Sequence, residues 1–210
     1  MRATCAYLHP IRAKVLDHAQ LGENEILLDV GSGDGFIAFG ALERTPTSRV
    51  IVSDISHDLL EHAQIVAHEL GLQNQCQFLH ASATDLSALA DASVDVITTR
   101  SVLIYVPEKQ QAFNELYRIL KPNGRLSIFE PINRFAFPEP DHCFWGYDVT
   151  PVQELARKVT AVYRQLQPPD RDPMLNFDER DLLAYAEQAG STELHLELQI
   201  AVTSPKEPIS

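Results

Sequence analysis

The chain has 210 residues, 45% apolar and 22% charged, which suits one globular domain with a sizeable core. Seventeen basic against 29 acidic side chains leave a net charge of −12, a balance that repels phosphate backbones and argues against nucleic acid as a partner. No apolar run approaches the ~18 residues of a membrane span, Arg2 to Pro10 has no apolar signal core, and Cys5, Cys76 and Cys143 are too scattered for a disulfide framework or a zinc site, so the expected compartment is the cytoplasm.

Hydrophobic periodicity predicts a short helix near Ile11–Gln20 and a strand at Ile26–Val30. That strand runs into Gly31, Gly33 and Gly35, and the Ala- and Phe-rich segment beyond reads as helix. A second strand is expected at Val50–Ser53, followed by a helix with Ser56 as N-cap, Asp58 in its first turn, one apolar face (Leu59, Ala63, Val66, Ala67, Leu70) and a stop at Gly71. Strands at Cys76–Leu79 and Val94–Thr98 come next. A helix then opens near Pro107 and ends in a turn at Lys121–Gly124, before a fifth strand at Arg125–Phe129. Two helices, Pro151–Leu166 and Asp178–Ala189, have Thr150 and Asp178 as candidate N-caps. Strand and helix alternating at this pitch imply right-handed crossovers and a doubly wound, Rossmann-like α/β fold, its mostly parallel sheet covered by helices on both faces. Glu193–Val202 alternates strictly, with Leu194, Leu196, Leu198, Ile200 and Val202 on one face, and reads as a half-exposed final strand near the sheet edge.

Four polar loops follow the first four strands, at the carboxyl ends where open α/β sheets bind ligands. In the first, glycine permits positive φ and close approach of a ligand to backbone N–H groups. The spacing is G-x-G-x-G, and Phe36 stands where the dinucleotide fingerprint wants Gly or Ala, which counts against NAD. Asp54 ends the second strand some 20 residues on, where a carboxylate can accept from both ribose hydroxyls of an adenosine; a plain helix-start Asp is the bland alternative. Ser82-Ala83-Thr84-Asp85 and Thr99-Arg100-Ser101 complete the rim. Arg100 could hold an anionic substrate or simply pair with a nearby acid. Tyr105, Glu130 and Asn133 point to the same rim, and His142, Trp145 and Tyr147 lie in a connection that could form a lid. For each of these except the aromatic pair Trp145 and Tyr147, plain packing or a surface loop is the better explanation. His80 reads as a strand-end histidine rather than a base.

Taken together, LLDVGSGDG, VSDIS, SATDL, SVDVITTRSVLIYV and ELYRILKPNGRLSIFEP resemble the ordered motifs of class I S-adenosylmethionine-dependent methyltransferases, over roughly Ile26–Pro131. RILKPNGRLSIFEP is most similar to the small-molecule group of ubiquinone-biosynthesis type. The resemblance implies sheet order 3-2-1-4-5 and S-adenosyl-L-methionine as cofactor, with in-line methyl transfer to a small-molecule acceptor and no metal. It makes Gly31, Ser32, Gly33 and Gly35 the floor under the methionine part. Asp29 would hold the ammonium, Asp54 the ribose hydroxyls, and Ile55 would pack on adenine. Relatives often carry Asp where Ser82 stands and an acid at Thr84, so adenine selection passes to Asp85 or the Ala83 backbone; Thr99 and Arg100 close the cofactor rim. No catalytic residue is assigned. A nicotinamide oxidoreductase and a non-catalytic cofactor-binding protein share much of this pattern and remain the alternatives. The expected organisation is a single methyltransferase domain over 1–210, with a cofactor-binding half at 1–131 and an acceptor and lid part at 132–210. The seventh, antiparallel strand usual in the resembled family has no counterpart in TSPKEPIS. That leaves an edge to be covered, so the expectation is a fragment of a longer protein, or else self-association through the sheet edge.

Overall fold

Five parallel strands, β1 (Ile26–Val30), β2 (Arg49–Asp54), β3 (Cys76–His80), β4 (Val94–Arg100) and β5 (Leu120–Phe129), form one sheet of order β3-β2-β1-β4-β5. The computed structural model describes residues 2–135, 139–144 and 146–200, with backbone alone for 2–7. These fall into two compact units, Met1–Pro131 and Ile132–Ser210, and the sheet belongs to the first. Strands β1, β2 and β4 are central, so they are buried on both faces and read as near-continuous apolar runs.

One face of the sheet is covered by α1 (Arg2–Ala19), α2 (Phe36–Arg44) and α3 (His57–Glu69), which pack Ile11, Val15, Leu42, Leu60 and Ala63 against Leu27, Val52 and Val96. α4 (Lys109–Ile119) covers the other with Phe113, Leu116 and Ile119, all buried. Ser56 caps α3 as expected, its hydroxyl accepting from the Leu59 N–H. The predicted start of α1 at Ile11 is too late: the helix reaches back to Arg2 and takes Pro10 into its interior, where the ring removes one backbone hydrogen bond without ending the helix. Its direction follows from two contacts. Arg125 Nε donates to Ala19 O (3.0 Å) and Ser127 Oγ to Val15 O (2.8 Å). Two residues up β5, ~6.6 Å, thus correspond to four residues back along α1, ~6 Å, so α1 runs antiparallel to the strands and its first turns overhang their carboxyl ends.

Two further boundaries differ from the expectation. Lys121–Gly124 is not a turn between elements but a bulge inside β5: Leu120 stands opposite Val94 and Arg125 opposite Val96, and Asn123 takes the left-handed conformation (φ 64°) that lets the extra residues loop out. Lys121 Nζ ties the bulge to both oxygens of Asp95 (2.9 and 2.8 Å). β4 also runs two residues further than predicted, so Thr99 and Arg100 lie at a strand end rather than in a loop.

The second unit contains a two-residue hairpin of β6 (Cys143–Phe144) and β7 (Tyr147–Asp148), then α5 (Gln153–Leu166) and α6 (Glu179–Ala189). Asp178 caps α6 in a reciprocal box with Asp181. Thr150 is not the cap of α5: its N–H and hydroxyl both donate to Asp148 Oδ1, and it begins a 3-10 turn ahead of the helix. The predicted strand at Glu193–Val202 is not formed across 193–200, and Ala201 and Val202 lie outside the described residues. Leu194, Leu196, Leu198 and Ile200 are 39 to 71% exposed, so the alternating pattern buries no face, and without burial it cannot fix a strand register. Among the described residues the main sheet therefore has five strands, not six.

Candidate functional site

The loop between β1 and α2 passes through the left-handed region at Gly31, Gly33 and Gly35 (φ 63°, 59° and 82°). The glycines have different reasons for being there. A Cβ on Gly31 would lie 2.3 Å from Val102 Cγ2, and one on Gly35 2.3 Å from Phe39 Cε2, so both are required by packing. A Cβ on Gly33 would meet nothing within 4 Å, so this glycine opens space above the strand end. The loop is tied to β2 twice, by Ser32 N donating to Ser53 O (2.9 Å) and by Gly33 N donating to Asp54 Oδ2 (2.9 Å). Asp54 Oδ1 accepts from Ser56 N (2.9 Å). Asp54 is thus a buried staple between the glycine loop and the start of α3, with one further acceptor position on each oxygen.

Asp29, next to the end of β1, is an acid buried away from water. It is 1% exposed, and its Oδ1 accepts from Thr98 Oγ1 (2.8 Å), while Oδ2 is buried with no hydrogen-bond partner. Burial pushes its pKa up from 3.8 to about 7, against the pull of the Thr98 hydroxyl, the Ala38 N–H in the first turns of α2 and the Arg100 charge; the Asp54 charge adds to the rise. Ser32 Oγ and Thr99 Oγ1 are likewise buried without partners. Such unsatisfied polar atoms, with Ser53 Oγ near the end of β2 among them, gather at the carboxyl ends of the central strands and in the loop that follows β1, where they are costly in a closed core and suit a polar ligand.

Ile55 follows β2 and is 71% exposed, an apolar surface beside the staple. His80 ends β3, with its Nε2 2.8 Å from Ile55 O and its ring stacked on His57 at 3.6 Å. In the next loop Ser82 Oγ accepts from Thr84 N (3.2 Å), the turn-capping contact an Asp would make there, and Ala83 is buried. Asp85 Oδ1 accepts from Ser87 N (3.1 Å), and Ser87 holds the Asp85 carboxyl below its usual range.

Glu130 is not available as a base. Its Oε1 accepts from Val102 N (2.8 Å) and Leu103 N (3.0 Å), and its Oε2 from Ile104 N (3.1 Å). Burial raises its pKa and the three N–H groups restrain the rise. The carboxylate anchors the 3-10 turn Leu103–Tyr105, which leaves Tyr105 exposed at the rim. Sequence reading missed this anchor, since no local signal links Glu130 to donors 26 to 28 residues earlier. Arg100, whose pairing the sequence left open, is half-buried and makes no hydrogen bond or ion pair with the described residues. Asn133, His142 and Tyr147 belong to the second unit, and Trp145 lies outside the described residues.

Against known proteins, the family described as Methyltransferase domain matches residues 21–177. The tRNA 5-carboxymethoxyuridine methyltransferase of Escherichia coli is 31% identical over 111 residues, 52% of this chain and 42% of the relative. The ubiquinone/menaquinone biosynthesis C-methyltransferase of Cereibacter sphaeroides is 32% identical over 146 residues, 70% of this chain and 54% of the relative. The chain therefore spans about half the length of these curated relatives. A methyltransferase-like crystal structure from Bacillus halodurans superposes with a TM-score of 0.62 at 26% identity, covering 85% of this chain and 68% of that one.

Proposed function

The chain belongs to the class I S-adenosylmethionine-dependent methyltransferase family, and on that premise we propose that it transfers a methyl group from S-adenosylmethionine to a small-molecule acceptor. The observation that carries the reading is Asp29, a buried carboxylate with an unpartnered oxygen beside an open glycine loop at the carboxyl ends of parallel strands. Such a group calls for a cationic ligand, and the methionyl ammonium of the donor is one. When bound, the cofactor supplies an electrophilic methyl group on a sulfonium, so the protein's task is to hold, align and shield the two reactants.

Asp29 Oδ2 takes the ammonium. Gly31, Ser32, Gly33 and Gly35 form the floor, with Gly33 giving the close approach. Asp54 uses its remaining acceptor positions on the ribose hydroxyls, and Ile55 offers its exposed face to adenine. The adenine edge meets the Ala83 backbone and Ser82 rather than Asp85, whose carboxylate is turned to Ser87. Thr99 brings a buried hydroxyl to the same rim. A small acceptor is favoured over nucleic acid by the net charge of −12, although one relative acts on tRNA.

Calorimetry with S-adenosylhomocysteine and NAD side by side tests the cofactor: the first binds and the second does not. Release of S-adenosylhomocysteine in a panel of small hydroxyl, amine and thiol compounds, with tRNA alongside, tests the acceptor. Turnover on tRNA alone would refute the small-molecule assignment.

A further inference from the structure

Unlike α6, α5 buries no side chain among the described residues. Its apolar residues are nevertheless in order. Leu155, Val159, Val162 and Leu166 recur at steps of four, three and four, which sets them on one stripe, with Ala156 and Tyr163 along one border and Lys158 and Gln165 along the other. Leu155, Val162, Tyr163 and Leu166 are 49 to 73% exposed. The polar side of the helix is already engaged: Gln153 Nε2 donates to Asp141 O (3.2 Å), and Arg157 forms ion pairs with Asp141 (3.1 Å) and Glu154 (2.9 Å). Gln153 and Arg157 lie opposite the stripe, so the stripe is turned away from the segment that holds α5 in place.

Two heptads with this spacing make a seam for a second helix, and the sequence fits its own copy run antiparallel. About a two-fold axis between Thr160 and Ala161, Leu155 of one copy falls opposite Leu166 of the other and Val159 opposite Val162, which gives four apolar layers without a break. Along one border Ala156 meets Tyr163, small against large, and along the other Lys158 meets Gln165, so no like charges face each other. An anionic lipid surface is another partner for a basic amphipathic helix. The net charge of −12 disfavours it, and Arg157, one of three cations on α5, is already ion-paired. We propose that α5 is a homodimerisation seam, through which two copies of the chain associate by antiparallel packing along Leu155, Val159, Val162 and Leu166. The seam is about 21 Å long and one helix wide. That is less than the ~800 Å² per partner of a standard interface, so the dimer is a weak one, in the micromolar range. Two copies of net charge −12 repel at long range while the seam itself is uncharged, so association strengthens as salt screens the repulsion. Attachment to anionic lipid would weaken instead.

The test is sedimentation equilibrium of the full chain from about 1 to about 300 µM, the range in which an interface of this size dissociates. The wild type should pass from monomer to dimer, with a lower dissociation constant at about 0.5 M salt than at about 0.05 M. Leu155→Glu and Leu166→Lys, both at exposed positions, should keep the wild-type circular dichroism and melting temperature. Each should raise the dissociation constant about tenfold or more, because each puts an unpaired charge into two layers of the seam. Mixed in equal amounts, the two variants should dimerise more tightly than either does alone, since the introduced charges then fall opposite each other and one Leu155 to Leu166 layer stays intact. A chain that remains monomeric throughout, or a dimer that neither substitution weakens, would overturn the proposal. Weakening by both without recovery in the mixture would overturn the antiparallel register on which it rests. A monomeric wild type that cosediments with phosphatidylglycerol vesicles, less so in high salt and after Leu155→Glu, would assign the stripe to a lipid surface and overturn it as well.

Discussion

Asp29→Asn should make the ligand-free protein more stable and its cofactor affinity worse. The Asp29 pKa of about 7 stands about three units above its ordinary 3.8, and each unit is worth ~1.4 kcal/mol, so carrying the ionised side chain costs the fold up to ~4 kcal/mol above pH 8. The sign follows from the raised pKa. Below about pH 4 the carboxyl is protonated in both folded and unfolded chains and costs nothing. Between about pH 4 and 7 the unfolded chain ionises first and stability falls as pH rises, and above about pH 7 the whole cost is present. Asparagine keeps an acceptor for Thr98 Oγ1 but puts an unpaired amide N–H where Oδ2 now lies, which takes back ~1 kcal/mol. The variant should therefore gain ~1 kcal/mol at pH 5 and ~3 kcal/mol at pH 8.5. In a chain of this size that corresponds to about 3 °C and about 10 °C in melting temperature. Scanning calorimetry at the two pH values reads the difference, and isothermal titration should show S-adenosylhomocysteine affinity at least tenfold lower. A variant that melts like the wild type at both pH values would refute the burial argument. Unchanged affinity would refute the ammonium role.

The same carboxylate predicts proton release when a cationic headgroup binds: at about pH 6 the binding enthalpy of S-adenosylhomocysteine to the wild type should vary with the ionisation enthalpy of the buffer, and at about pH 8.5 it should not. Gly33→Ala should leave the melting temperature within a few degrees, since only positive-φ strain of ~1 kcal/mol is added, while ligand binding is lost; Gly31→Ala should lower the melting temperature more, because its Cβ meets Val102. If both variants melt alike, the division of roles among the glycines is wrong. Asp54→Ala should weaken S-adenosylhomocysteine binding by about 10- to 100-fold and also lower stability, because Gly33 N and Ser56 N lose their acceptor; full affinity by calorimetry would exclude the ribose assignment. Glu130→Gln should destabilise the Leu103–Tyr105 turn by ~1 to 2 kcal/mol, read as faster hydrogen exchange at the Ile104 amide, and unchanged exchange there would contradict the anchor.

The five parallel strands and the glycine loop were legible in the sequence because their signals are local. A central strand must be apolar on both faces, a left-handed turn admits little but glycine, and Ser56 and Asp178 announce helix starts within one turn of chain. Local signals misled where burial had to decide: 193–200 alternates like a strand, yet its leucines stay 39 to 51% exposed, and Lys121–Gly124 has turn chemistry inside β5. Residue types pointed to Asp29, Asp54, Glu130 and Arg100 as a group at the strand ends. Which of them is held by the backbone, which is stripped of water and which lacks a counter-charge depends on partners up to 69 residues away in sequence. Sequence alone determined the order of the five parallel strands and the backbone freedom beside β1; only the tertiary structure left Asp29 and Arg100 without a counter-charge, because desolvation and hydrogen-bond competition exist only once distant strand ends have been brought to one rim.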